Sequence, residues 1–201
     1  MARTLLPQAD QLQVEEVAQR AGVSVPTLYS HFGSKGGLLS ALVGQIEREL
    51  GLYGGFERVW QCQDGESALR MMLEATLHFW HQAWSFIEFG LRVRRTDPEI
   101  GARIDRLDRS RLGHLVVICR RLDQERRLKP GLEPAKAARL VFALTTPYVH
   151  EAFAIQGRLP VAAGRSLIVD AAVDAVLQPG TQAVTESSID WVRLGLKPPV
   201  A

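Results

Sequence analysis

Three observations predict an all-α protein. Apolar residues recur at three-and-four spacing in one segment after another, alternating apolar and polar runs of strand length are hard to find, and Gly, Ser and Pro stand where helices would begin and end. Val14–Ala21 (VEEVAQRA) reads as a short helix, with Glu15 and Glu16 in a first turn where carboxylates favour the positive end of the helix dipole. Gly22 stops it. Ser24 is a good N-cap and Pro26 suits a first turn, so a second helix is expected from about Val25 to Phe32, ended by Gly33. Ser34 caps a third, in which Leu38, Leu39, Leu42, Val43 and Ile46 make one apolar face that should fade by Gly51–Gly55.

Farther along, Ser67–Trp84 reads as a long helix and the segment from Phe86 to Arg95 as another. Asp97–Pro98 marks a break. Apolar residues from Ile100 to Leu122 then describe one long helix or two consecutive ones, running to about Arg127 and closed by Lys129–Pro130–Gly131. Pro134 opens a helix expected to reach about Gln156, and Gly164–Leu177 is the last before a tail, loose after about residue 178. The expected division is a helix-turn-helix domain over residues 1–52 and a helical bundle over residues 53–201.

The 201 residues are 46% hydrophobic and 23% charged, ordinary for a globular chain, and long enough to bury a core. Formal net charge is only +2, so any contact with nucleic acid must come from a local constellation rather than a global field. Residues 1–50 even lean acidic, with Arg3, Arg20, Lys35 and Arg48 against Asp10, Glu15, Glu16, Glu47 and Glu49. Cys62 and Cys119 stand far apart without a CxxC, which argues for reduced thiols rather than a disulfide or a zinc site. No apolar signal segment and no membrane-length apolar run is found, so a cytoplasmic location is expected.

Helix, glycine turn, helix over Val14–Phe32 is the layout that lays a second helix in the DNA major groove. Ala18, Ala21 and Gly22 are small, as a close helix crossing requires, and Val17, Val23, Leu28 and Phe32 are expected to bury the face that sets its angle. Thr27, Tyr29 and His31 on the other side, with Lys35 at the start of the next helix, suit phosphate contacts. From Ala21 to Leu39 the sequence AGVSVPTLYSHFGSKGGLL resembles the tetracycline-repressor (TetR) family almost residue for residue. The resemblance implies that the threonine, tyrosine, histidine and lysine positions clamp the DNA backbone, while Val25, Pro26 and Ser30 face bases. Val25 and Pro26 offer only apolar contact, for example to thymine methyls, so direct readout should be modest.

The resemblance also implies an amphipathic helix ahead of the region matching Val14. Here about a dozen residues precede it, Pro7 among them, and Gln13 stands where a capping threonine is usual. A start assigned too far downstream is the favoured expectation over a natural variant with a weakened DNA-binding domain.

Between Trp60 and Phe89 the chain concentrates aromatic, methionine and histidine residues. Met72, His78, Phe79, Trp80, Trp84 and Phe89, joined by Tyr148 and Phe153 from a later helix, are the candidates for an apolar effector pocket with polar tips; a plain core is the alternative for each singly. His78 and His81, with Glu74 or His150, lack a recognised metal-ligand spacing, so no metal and no cofactor is expected. Twelve basic against six acidic residues over 92–129 read as solvated helix faces with intrahelical ion pairs, an anionic ligand being the lesser alternative.

Small residues at Ala135, Ala137, Ala138, Ala143, Ala152, Ala171, Ala172 and Ala175 permit close helix approach, and the resemblance implies that the last helices pair with their twins in a homodimer. Expected partners are therefore double-stranded operator DNA, a small-molecule effector and a second copy. The expected function is a ligand-responsive regulator, a repressor in the first instance. The alternative is a dimeric small-molecule-binding protein of the same fold with impaired DNA binding. No GxSxG, phosphate-cradling glycine loop, HExxH or matched carboxylate pair points to an enzyme.

Overall fold

The computed structural model describes residues 14–49, 57–157 and 160–179, and among them the chain is helical, without a strand. In order the elements are α1 (Val14–Ala21), α2 (Val25–Phe32), α3 (Lys35–Glu49), α4 (Gly65–Gln82), α5 (Trp84–Val93), α6 (Pro98–Gln124), α7 (Pro134–Leu144), α8 (Pro147–His150) and α9 (Val161–Val176). A π-helical stretch, Glu151–Gln156, continues α8. The expectations for residues before Val14, for Gly51–Gly55 and for the tail from residue 180 lie outside the described residues, as does the side chain of Val43.

Two compact units result. One is drawn from the residues up to Glu49 and from Ala83–Arg109, the other from those between Leu50 and Gln82 and from Ser110 onward, so that α6 serves both. In the first, Val14, Ala18 and Leu28 form a small core, and Leu38, Leu39, Phe89, Val93 and Ile100 a second. Val17 and Phe32 pack on both clusters and join them. The other unit is built on a larger core that includes Leu69, Met72, Leu73, Leu77, Leu115, Ile118, Leu122, Val141 and Ile168.

Caps define the helix starts. Ser34 Oγ accepts from Gly37 N at 3.0 Å, Asp64 Oδ1 from Ser67 N at 2.7 Å, and Asp97 Oδ1 from Glu99 N and Ile100 N at 3.1 Å each. Gly22 and Gly33 have φ of +69° and +76°, which explains why glycine ends α1 and α2.

The structure corrects four local expectations. A Cβ on Gly22 would meet nothing within 4 Å, so its backbone angle and not a tight helix crossing requires it. Val23 is 40% exposed at the turn instead of buried with Leu28. The helix expected from Pro134 to Gln156 is broken at Thr145, whose buried hydroxyl donates back to Val141 O at 2.8 Å, and Pro147 has no N–H to continue the ladder. The helix expected over Ser67–Trp84 likewise gives way at Ala83, whose carbonyl accepts from Phe86 N and Ile87 N to start α5.

Candidate functional site

Placement of the α2 side chains follows from Leu28, which turns inward on Val14 and Ala18. Helical geometry then sends its neighbours outward: Pro26, Thr27, Tyr29, Ser30 and His31 are all exposed. Ser24 holds the first turn, accepting from Thr27 N at 3.2 Å while its hydroxyl lies 2.8 Å from Thr27 Oγ1. Ser30 Oγ donates to Thr27 O at 2.9 Å, and the His31 ring meets Phe32 edge-on with centroids 4.8 Å apart. Val25 is half-buried against the Val14–Ala18–Leu28 cluster, so of the two apolar residues expected at bases only Pro26 stands fully outward. Lys35, half-buried, opens α3 with its Nζ 3.8 Å from Asp97 Oδ2.

Short polar side chains, a tyrosine and an imidazole thus share one exposed helix beside a lysine at the next helix start. Residues 9–42 match the family described as bacterial regulatory proteins, tetR family. The chain begins with a tetR-family helix-turn-helix. Compared by sequence with curated proteins, it matches none.

Several solved structures have the same fold. A tetR-family transcriptional regulator from Rhodococcus sp. shares 18% identity at a TM-score of 0.70, over 88% of this chain and 95% of that one. FadR from Bacillus subtilis, solved with stearoyl-CoA, shares 18% at 0.68, over 86% and 94%. SmeT, the repressor of the Stenotrophomonas maltophilia multidrug efflux pump SmeDEF, shares 20% at 0.65 in its complex with triclosan, over 86% and 85%. At such identities the likeness establishes a tetR-type fold, the helix-turn-helix followed by a helical domain.

The residues expected to line an effector pocket are divided by this fold. Phe89 is buried with Leu38 and Leu39 in the unit that carries the helix-turn-helix, and Trp84 is half-buried in the same unit. Met72 belongs to the core of the other unit. Tyr148 and Phe153 are 55% and 40% exposed. Phe79 is half-buried with its ring centroid 5.4 Å from that of Trp80. Trp80 uses its indole N–H on Thr145 O at 3.1 Å, where Arg111 Nη1 also donates, and the Arg111 guanidinium lies 3.9 Å from the Phe142 ring centroid. The break after α7 is therefore tied to α4 and α6.

His78 does sit in a polar setting. Arg165 Nε lies 2.8 Å from Glu74 Oε2 with side chains only 2% and 8% exposed, and the rings of His81 and His150 meet edge-on at 5.8 Å. Burial, then the Arg165 charge and His81, push the His78 imidazole down to about 4; burial, His81 and Arg165 bring His150 to about 4 as well. Both rings are neutral at pH 7. Among the described residues no His, Cys, Asp and Glu group has the geometry to hold a metal ion. Arg165 is not legible in the sequence, because its only signal is a lone arginine in a helix of mostly small and aliphatic residues that also carries Asp170 and Asp174.

Several of the arginines counted over 92–129 are paired. Arg94 reaches from beyond α5 to Asp105 and Asp108 on α6, Arg121 in the last turn of α6 pairs with Glu125 just past its end, and Arg127 reaches Glu66 at 2.8 Å. Cys119 is buried and its thiol is pushed up to about 12 by burial. No helix among the described residues is long and apolar enough to cross a membrane.

Proposed function

We propose that this chain is a ligand-responsive transcriptional regulator that binds a palindromic operator as a homodimer and is released from it by a small molecule. The exposure of Thr27, Tyr29, Ser30 and His31 on one short helix, beside Lys35, carries the proposal. Hydroxyl, imidazole and ammonium groups in that array suit phosphate oxygens, and Pro26 suits a thymine methyl. Direct base readout is modest, and groove shape supplies the remaining specificity.

A second copy is supported by the apolar surface of the later helices. Ala163, Leu167 and Ala171 make an exposed stripe at four-residue spacing on α9, and Leu140, Tyr148, Phe153 and Ile155 are exposed on α7, α8 and the π-helical stretch. Tyr148 and Phe153 fit this interface better than a pocket. In a two-fold dimer the recognition helices would enter successive major grooves about 34 Å apart.

The effector site in this reading is the α4, α8 and α9 region, with His78 as a polar tip and Phe79 and Trp80 as apolar contacts. Two structural neighbours were solved with small molecules, stearoyl-CoA and triclosan, which supports a small-molecule effector as such. Effector binding acts by population shift, stabilising a conformation of lower operator affinity.

Gel shift with the intergenic DNA beside the gene tests the whole reading. Retarded complexes that weaken steeply with salt, and that Tyr29→Ala weakens on every sequence alike, are expected. An effector bound without any retardation would favour a dimeric ligand-binding protein with impaired DNA recognition, a reading supported by the acidic balance of residues 1–50.

A further inference from the structure

Lys35 occupies the first turn of α3, where the helix dipole disfavours a cation. Its counter-charge is Asp97, 3.8 Å away through Oδ2. The other oxygen of that carboxylate is engaged, since Oδ1 accepts from Glu99 N and Ile100 N, and the Asp97 backbone N–H donates to Val93 O at 2.9 Å. Asp97 cannot follow Lys35 outward without giving up the cap of α6.

The neighbouring contacts make this a joint between two helix starts. A Cβ on Gly36 would fall 2.6 Å from Glu99 Oε1 and 2.9 Å from its Cγ, so the Glu99 side chain of α6 lies directly over the first turn of α3. Leu38, Leu39 and Ile100 share one buried cluster directly behind them. At 3.8 Å, with Lys35 partly exposed, the ion pair is loose enough to exchange.

From this geometry we infer that Asp97 restrains DNA affinity: it stands in for a phosphate, holding Lys35 against α6 until a duplex backbone takes the ammonium over. The proposal rests on the regulator reading above, and makes Asp97 a positioning residue that acts through Lys35. It also makes the start of α6 a place where a conformational change alters a DNA contact without touching α2. Anything that withdraws the α6 cap from α3 frees Lys35, and anything that presses them together retains it.

The test is fluorescence anisotropy of a fluorescein-labelled mixed-sequence duplex titrated with the full chain at several salt concentrations. Asp97→Asn keeps a capping oxygen and removes the charge. It is expected to tighten binding about two- to fivefold, the size of a partly exposed ion pair, and to steepen the dependence of log K on log salt by about one charge. Lys35→Met should weaken binding, and Asp97→Asn should add nothing in that background. Asp97→Ser, a second capping residue, repeats the test with a different side chain. Equal or weaker binding by both Asp97 variants overturns the proposal, as does tightening that persists without Lys35 or loss of folding in both variants. If neither the wild type nor any variant shows salt-dependent binding, the regulator reading itself fails and takes this one with it.

Discussion

The two units of this chain place their polar groups in opposite ways. On α2 the side chains proposed to meet DNA are exposed, lie within a few residues of one another and are presented by a single inward leucine, Leu28. In the other unit Glu74, His78, His150 and Arg165 are buried and come from helices far apart in sequence. An exposed array can change its residues at little cost to folding, because each remains solvated. A buried one is tied to stability, because every charge removed from water needs its partner. Under the proposed function, recognition of DNA and sensing of a ligand would be open to mutation to different degrees.

This contrast is sharpest for Glu74→Leu, which takes the carboxylate from buried Arg165 and is expected to cost about 3–5 kcal/mol, read from urea unfolding followed by circular dichroism. Combining it with Arg165→Leu should recover much of the loss; no recovery would mean that the pair is held by more than its own attraction. Leu28→Ala, in the small cluster with Val14 and Ala18, should cost less, about 2 kcal/mol at the lower end for such truncations.

Acid provides the next contrast. His78 and His150 have folded-state values near 4 against an ordinary 6.5, so between those pH values the unfolded chain takes up protons that the folded one refuses. Stability contributed by keeping them neutral is complete above pH 6.5 and lost as pH falls toward 4. Urea midpoints measured across that window should decline, and less so in His78→Asn. Ser24→Ala, which deletes the α2 cap, should cost about 1 kcal/mol, measured by the same unfolding curves. Smallest in stability is Tyr29→Phe, within about 0.5 kcal/mol of wild type, yet it should weaken duplex binding in the anisotropy assay. A large loss of stability there would break the contrast between the two regions.

What the sequence made legible was local. The bounds of α1 and α2 were readable because each end is written by one residue: Gly22 and Gly33 by their positive φ, Ser24 by its hydroxyl, Pro26 by its ring. Exposure of the α2 side chains followed from the position of Leu28. What stayed hidden joins residues distant along the chain. Nothing near Glu74 announces Arg165, nothing near Lys35 announces Asp97, and the back-bond of Thr145 that ends α7 shows no periodicity to read. Met72 and Phe89 were grouped for a pocket because both lie in one aromatic-rich stretch. A break at Ala83 sends them to separate cores, which composition cannot report.

The π-helical stretch Glu151–Gln156 contains more residues per turn than the α-helices around it. A single inserted codon is the simplest origin of such a bulge. Deleting one, at Ala154 for instance, would let the ladder close in α register and swing the residues beyond it by about 100° around the helix axis. Ile155 would then leave its present face while Tyr148 kept its own. In the dimer proposed above, kin that differ by one codon here would present mismatched surfaces to each other, a simple way for duplicated genes to stop forming mixed assemblies.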